Sequence, residues 1–411
     1  MFDLDKWQEI FHTIRQNKLR TFLTGFSVAW GIFMLIILLG SGNGLQNGIE
    51  YQFRDDATNS IFVYRGRTDK TYKGLNKNRL VQLDMEDYKW IRQNLPSIQN
   101  SSARYNIYGD NKISYKSEYG DFSIRTVHPG YKEIEKTMPV KGRFINQMDI
   151  QETRKVASIG TKVEEVLFKR GEDPIGKHIT INGISFQVVG VFDDEGGDRE
   201  LRRVYLPITT AQKLFSRDNK VHALMFTTNQ VSAEESKQMV QTLRGKLAQN
   251  HHFQESDEGA VYISNNVERY KQFRDVFAAI DLFIWIIGIG TIIAGIVGVS
   301  NIMIILVKER TQEIGIRKAI GATPFSIISL ILMESILITT FAGYIGMVLG
   351  VGILNLISNT ITANDFFMNP QVDLGIAISA TLLLIVSGMI AGFFPARKAA
   401  KIKPIVALRD E

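Results

Sequence analysis

Few residues of this 411-residue chain are spaced for chemistry, and each candidate has a plainer reading beside it. Gly171-Glu-Asp-Pro-Ile-Gly176-Lys177-His178 nearly matches a phosphate-cradling loop. That loop needs a Ser or Thr after the Lys to hold magnesium, and His178 stands there instead. A strand pattern rather than a helix follows, so the segment reads as a Gly-rich turn. His251 and His252, with Glu255, Asp257 and Glu258 just behind, have the donor types of a metal site but read as a solvated loop. The absence of cysteine excludes disulfide scaffolds, thiolate metal sites and Cys nucleophiles. There is no Gly-x-Ser-x-Gly elbow and no His-Glu-x-x-His pair. The expectation is a chain that is not an enzyme and holds no cofactor of its own.

The chemistry that remains is recognition. The segment 308–324 is charged and amphipathic and lies between two long apolar runs. Ile314, Ile316 and Ile320 alternate there with Glu309, Arg310, Glu313, Arg317 and Lys318. A plain turn between membrane helices needs only a few polar residues, so this connector reads as a helix that docks a partner. Glu313 and Arg317 stand at i, i+4, a pair worth a few tenths of a kcal/mol on a helix. Thr323 and Pro324 have the types of a helix cap and first turn, which ends the docking helix there.

Four apolar runs must position this segment, at 21–41, 282–307, 325–357 and 374–394. Each is close to or longer than the ~20 residues that a membrane helix needs. Their single charge is Glu334, roughly 15 Å from one end of the third run at 1.5 Å per residue. An ionisable group at that depth is a functional candidate by default. A proton or ion relay needs more such groups, so a structural role is expected, with Lys18, Arg20 or a backbone group as partner. Small residues recur at Gly290, Ala294 and Gly298, at Ala342, Gly346 and Gly350, and at Gly388 and Gly392, a spacing that lets helix backbones approach closely.

Orientation follows from the cations. Lys6, Arg15, Lys18 and Arg20 precede the first run, and Lys308, Arg310, Arg317 and Lys318 follow the second. Arg397, Lys398, Lys401, Lys403 and Arg409 follow the fourth, whereas 358–373 has Asp365 and Asp373 but no Lys or Arg. Both termini (1–20 and 395–411) and the docking segment 308–324 are therefore expected inside, with 42–281 and the short connector 358–373 outside. The net charge of +6 sits largely in the inner flanks, which argues against nucleic acid as a partner. Leu4, Trp7, Phe11 and Ile14 share one face and predict an interfacial helix before the first span.

The long external stretch predicts an α+β domain of two lobes. Strand patterns lie at 60–64, 112–115, 122–127, 156–159, 178–181, 186–191 and 221–227, with Asn182-Gly183 as a hairpin turn. Helices are expected at 85–93, 161–169 and 232–249, the last opened by a capping box of Ser232 and Glu235. Leu45, Ile49 and Phe53 after the first span, and Val267, Tyr270, Arg274, Phe277 and Ile280 before the second, mark helical stalks. The fold class is an α-helical membrane protein with four transmembrane helices plus an α+β domain inserted between helices 1 and 2.

Four segments together resemble the permeases of ATP-binding-cassette transporters of the MacB/FtsX type, the mechanotransmission group. Lys308-Glu-Arg-Thr-Gln-Glu-Ile-Gly-Ile-Arg-Lys-Ala-Ile-Gly-Ala322 is similar to that family's coupling segment, and 395–409 to its C-terminal signature. Asn17-Lys-Leu-Arg-Thr-Phe-Leu-Thr24 is similar to its N-terminal motif, and Asp173-Pro-Ile-Gly-Lys177 to a turn of its external domain. The resemblance implies coupling roles for Glu309, Arg310, Glu313, Ile314, Gly315, Arg317, Lys318 and Gly321. It implies an inner-membrane location with a periplasmic domain, made of a porter-like lobe at about 54–130 and 205–265 and an inserted lobe at about 131–204. The partners implied are an ATPase subunit holding ATP and Mg and a second permease chain, in a homodimer or a heterodimer. This chain shows no fused ATPase segment, so a separate ATPase subunit is expected. Export of small molecules, antibiotics or peptides is the leading expectation. Lipoprotein release, and regulation of cell-wall hydrolases as in the FtsX branch, are the alternatives. The cargo, and the need for a periplasmic adaptor and an outer-membrane channel, stay open.

Overall fold

The computed structural model describes residues 18–52, 57–194, 196–216, 218–360, 367–371 and 374–402. The expected interfacial helix with Leu4, Trp7, Phe11 and Ile14 lies outside the described residues, as do Phe53 of the first stalk and 403–411 of the tail. The chain forms two units, Gln52–Arg274 and the combination of Met1–Tyr51 with Asp275–Glu411.

In chain order, helix α1 (Lys18–Gln52) precedes β1 (Ser60–Arg65), α2 (Met85–Asn94), β2 (Ile98–Ile107), β3 (Lys112–Tyr115), β4 (Glu118–Asp121) and β5 (Ser123–Val127). Then come β6 (Met138–Gly142), β7 (Val156–Gly160), α3 (Thr161–Leu167), β8 (His178–Ile181), β9 (Ile184–Asp193), β10 (Arg203–Pro207) and β11 (Ala223–Thr228). Helix α4 (Ala233–His251) and β12 (Val261–Asn265) lead to α5 (Asn266–Glu309), α6 (Thr311–Ala319), α7 (Pro324–Thr360) and α8 (Leu374–Ala400).

The α+β unit is built on one twelve-stranded sheet, in the order β12-β1-β11-β2-β5-β10-β7-β9-β8-β3-β4, with β6 also paired to β9. Two of its pairings are parallel, β10 with β5 and β9 with β7. The Asn182-Gly183 turn joins β8 to β9 with both residues at positive φ, 47° and 81°, as a type I′ hairpin requires. Helix α4 opens with the expected capping box, in which Glu235 N–H donates to Ser232 Oγ at 3.2 Å and Ser232 N–H to Glu235 Oε2 at 2.8 Å.

This one sheet carries two apolar cores. One gathers Ile61, Phe62, Tyr88, Leu224, Phe226 and Leu243; the other gathers Ile113, Ile124, Ile159, Leu167, Phe186 and Leu206. Where β2, β5 and β10 meet, charge is buried as a network. Glu135 accepts from Arg104 Nη1 and Arg125 Nη1, each at 3.0 Å, and from the Tyr131 hydroxyl, while Arg203 pairs with Glu200. Burial raises the Tyr131 and Tyr205 hydroxyls above the usual tyrosine range, so both stay protonated, and Tyr131 donates to Glu135.

In the helical unit, α1, α5 and α7 are long and apolar enough to cross a membrane. The fourth expected span, 374–394, lies within α8, whose charges begin only at Arg397. A Cβ on Gly346 of α7 would collide with the Ala29 carbonyl oxygen of α1, so only glycine permits that crossing. Gly350 lies against Ile36, Ala342 against Gly25, and Gly298 of α5 against Ser27. Gly388 and Gly392 of α8 meet Thr339 and Ser335 of α7, where Ser335 Oγ donates to Gly388 O at 2.9 Å. Gly290 has no neighbour within 4 Å of an added Cβ, and Ala294 is exposed.

Candidate functional site

The charged connector folds as a short helix with two different faces. Helix α5 ends at Glu309, Arg310 leaves helical geometry at φ −93° and ψ 15°, and α6 starts at Thr311. Ile314 and Gly315 are buried on its inner face. Ile314 packs there with Met303 and Val307 of α5, Ile327 and Ile331 of α7, and Ala396 of α8. Helix α6 stops because Gly321 adopts φ +106°, a conformation that suits glycine, with Ala322 N–H returning to Arg317 O at 2.9 Å. Thr323 then caps α7, its Oγ1 accepting from Ser326 N–H at 3.3 Å.

The outward face is half ionic and half apolar. Arg317 Nη2 lies 2.8 Å from Glu313 Oε1, with both side chains substantially exposed. Exposed beside them are Ile316 at 44%, Ile320 at 82% and Phe325 at 79%. These exposed apolar groups form a patch at the junction of α6 and the third apolar run, which Phe325 opens. A cavity of about 360 Å³ opens next to it, lined by Arg310, Glu313, Arg317, Phe325, Leu330 and Glu334.

The inner connections of α6 are polar as well. Glu334 of α7 is 2% exposed, and its Oε2 accepts from Arg310 Nη1 at 3.4 Å. Arg310 was not among the expected partners; of those, the side chains of Lys18 and Arg20 lie outside the described residues. Lys318 Nζ donates to Ala400 O at 2.8 Å and to Ile402 O at 2.7 Å, at the end of α8. Lys318 therefore turns its ammonium inward, although its spacing alone puts it on the docking face. Glu309 and Lys308 close α5 and are exposed. Sequence reasoning missed Phe325 as part of the exposed face. It also looked for the partner of Glu334 in Lys18, Arg20 or a backbone group, and passed over Arg310 of the connector.

The other chemical candidates resolve into structural roles. Lys177 Nζ lies 2.6 Å from Glu172 Oε1, which also accepts from Tyr115 at 2.9 Å and Lys116 at 3.1 Å. These bonds, that from Lys177 first, hold the Glu172 carboxyl down at about 2. His251 Nε2 lies 2.7 Å from Asp87 Oδ2, and the Asp257 carboxylate accepts from the backbone N–H groups of Asp69, Lys70 and Ala260. Among the described residues no group of three or more His, Cys, Asp or Glu is placed to hold a metal ion.

Comparison with known families matches residues 21–243 to the MacB-like periplasmic core domain and residues 285–404 to the FtsX-like permease C-terminal region. The chain belongs to the MacB/FtsX family of permeases. Helix α6 and all of α7 fall inside the FtsX-like match. Among curated relatives, the macrolide export ATP-binding/permease protein MacB of Bdellovibrio bacteriovorus is 28% identical over 407 residues, covering 98% of this chain and 61% of the relative. The pyoverdine export ATP-binding/permease protein PvdT of Pseudomonas syringae pv. syringae is 29% identical over 426 residues, covering 98% of this chain and 60% of the relative. This permease thus spans about three-fifths of the length of the curated relatives it matches. The periplasmic region of MacB from Actinobacillus actinomycetemcomitans aligns over 54% of this chain and 95% of its own at 16% identity, with a TM-score of 0.44.

Proposed function

We propose that this permease exports a small molecule, antibiotic or peptide by passing the motion of an ATPase docked on α6 to its periplasmic domain. The observation that carries the reading is the outward face of α6, where Glu313 and Arg317 stand beside the exposed Ile316, Ile320 and Phe325. A partner can bury that apolar surface and match both charges. ATP and Mg reside in that ATPase, and this chain contributes no catalytic group. The relatives' names, macrolide export and pyoverdine export, favour cargo of small-molecule size.

The membrane arrangement belongs to the same proposal. Helix α8 crosses as a fourth span, and both termini lie in the cytoplasm with α6. The support is the distribution of Lys and Arg, absent from 358–373 and gathered at 308–318 and 397–409. Helices α1 and α5 have 35 and 44 residues, about 52 and 66 Å at 1.5 Å per residue, against a hydrocarbon core of about 30 Å. That excess length suits stalks that carry displacement out of the membrane into the porter-like and inserted lobes. A second permease chain completes the transporter, and the relatives' export names leave room for an adaptor and an outer-membrane channel.

The test is co-purification of the full-length chain with a candidate ATPase subunit of the same organism. Glu313→Arg or Gly315→Pro removes the ATPase from the complex while the chain stays folded. ATPase recovery unchanged by both substitutions refutes the docking assignment. Spin labels placed in the periplasmic domain then report whether nucleotide changes their separation.

A further inference from the structure

Helix α6 is covalently continuous with its neighbours α5 and α7, but it reaches α8 only through side chains. The polar part of that contact is a single ammonium. Lys318 Nζ sits 2.8 Å from Ala400 O and 2.7 Å from Ile402 O, more than eighty residues further along the chain. These oxygens belong to a helix end, where carbonyls have no partner further along the helix and aligned peptide dipoles leave partial negative charge. The end itself is closed tightly, with Lys401 N–H on Lys398 O at 3.2 Å and Ile402 N–H on Ala399 O at 3.1 Å. Beneath the ammonium, Ile314 of α6 shares an apolar cluster with Ala391, Ala396 and Ala399 of α8. One face of α6 is thus fitted to the last turns of α8, with a two-bond latch at its edge.

We propose that Lys318 is a positioning residue that makes the end of α8 follow the docking helix. It rests on the reading that an ATPase docks on α6. A displacement of α6 reaches α7 directly through the turn at Gly321. It reaches the body of α8 through the α7–α8 packing at Ser335 and Gly388, and the end of α8 through Lys318, because moving α6 alone would strip both charge-assisted bonds from the α8 terminus. The docked ATPase accordingly drives two membrane helices, and the link to α8 can be cut without touching the outward face at Glu313 and Arg317.

Two measurements on the full-length chain test this, with Lys318→Met to remove the ammonium and Lys318→Arg to keep a cation that can span two carbonyls. In the purified chain alone, Lys318→Met speeds amide hydrogen exchange of 398–402 by about tenfold, and Lys318→Arg stays within about twofold of the parent. Exchange unchanged in Lys318→Met overturns the latch. In complex with the ATPase, spin labels at Leu19→Cys paired with Phe394→Cys follow α8, and labels at Leu19→Cys paired with Met333→Cys follow α7. The chain has no cysteine to compete for the label. Nucleotide shifts both separations in the parent, whereas Lys318→Met halves the α8 shift or more, keeps the α7 shift and regains the former as Lys318→Arg. An α8 shift undiminished in Lys318→Met overturns the coupling. If nucleotide moves neither pair in the parent, the docking of the ATPase is wrong, and the exchange result still decides the latch.

Discussion

Arg310 and Glu334 meet at 3.4 Å across the junction of the docking helix and the third apolar run. Their exposures differ: the Glu334 side chain is 3% exposed and that of Arg310 21%. The acid is therefore held by the cation from the rim, and Arg310 also lies 3.8 Å from Glu313, which pairs with Arg317, so the described charges run from Glu334 out to the surface of α6. A pair of this kind adds little net stability over an apolar replacement, but losing one member is costly.

The pair predicts an asymmetric mutant cycle. Arg310→Met lowers stability more than Glu334→Leu, by about 3 against about 2 kcal/mol, because the carboxylate is the more deeply buried partner. The double variant recovers about 1–2 kcal/mol of the summed loss. Thermal unfolding of the four proteins in detergent measures it. Glu334→Gln, which keeps an acceptor oxygen, retains export; loss of export in a stably expressed Glu334→Gln chain would show that the charge itself is used.

Two glycines that look alike in the small-residue stripes should behave differently. Gly346→Val pushes α7 off the Ala29 carbonyl and costs about 2 kcal/mol or more. Gly290→Ala enters open space and changes stability by less than about 0.5 kcal/mol. Unfolding midpoints that do not separate the two would contradict the helix packing described for α1 and α7.

Acid should weaken the α+β unit in two steps. Burial, aided by Arg92, depresses His128 to about 4, and its neutral Nδ1 accepts from Ala103 N–H at 3.1 Å. A histidine with a folded value below its unfolded 6.5 gives stability that is complete above about 6.5. That stability is lost as pH falls to about 4, and the loss is of order 3 kcal/mol. Glu172, depressed to about 2, adds a second loss only below its ordinary value of 4.5. Chemical denaturation of the full chain from pH 7 to 4 should show the first step, and His128→Gln should reduce it to the part that His222, depressed to about 4 by burial, contributes. A slope that His128→Gln leaves intact would place the sensitivity elsewhere.

Local signals carried much of this fold. Asn182-Gly183 forms its hairpin and Ser232 with Glu235 forms its capping box, because both depend on residues a few positions apart. Strand β2 escaped notice. Its run Gln99-Asn-Ser-Ser102 is polar, yet Ser102 and Ala103 are buried, with His128 satisfying the Ala103 amide from a distant loop. Strand β10 was hidden by an arginine at one end and a proline at the other, although all five residues are buried. In the docking helix the spacing of Glu313 and Arg317 was readable as a surface pair. The inward turn of Lys318 was not, since its acceptors are main-chain oxygens that no residue type betrays.

The shared sheet of the α+β unit has a mechanical corollary. Domains joined by a loop can slip at the loop, and part of any displacement is absorbed there. Here the two cores are clamped to one ribbon at β5 and β10, which align residue for residue from Ser123 with Arg203 to Val127 with Pro207. Sliding one core past the other would tear that ladder and its neighbours. The unit should thus tilt as a stiff plate, so that a nudge at the β12 margin arrives at the β4 margin undiminished.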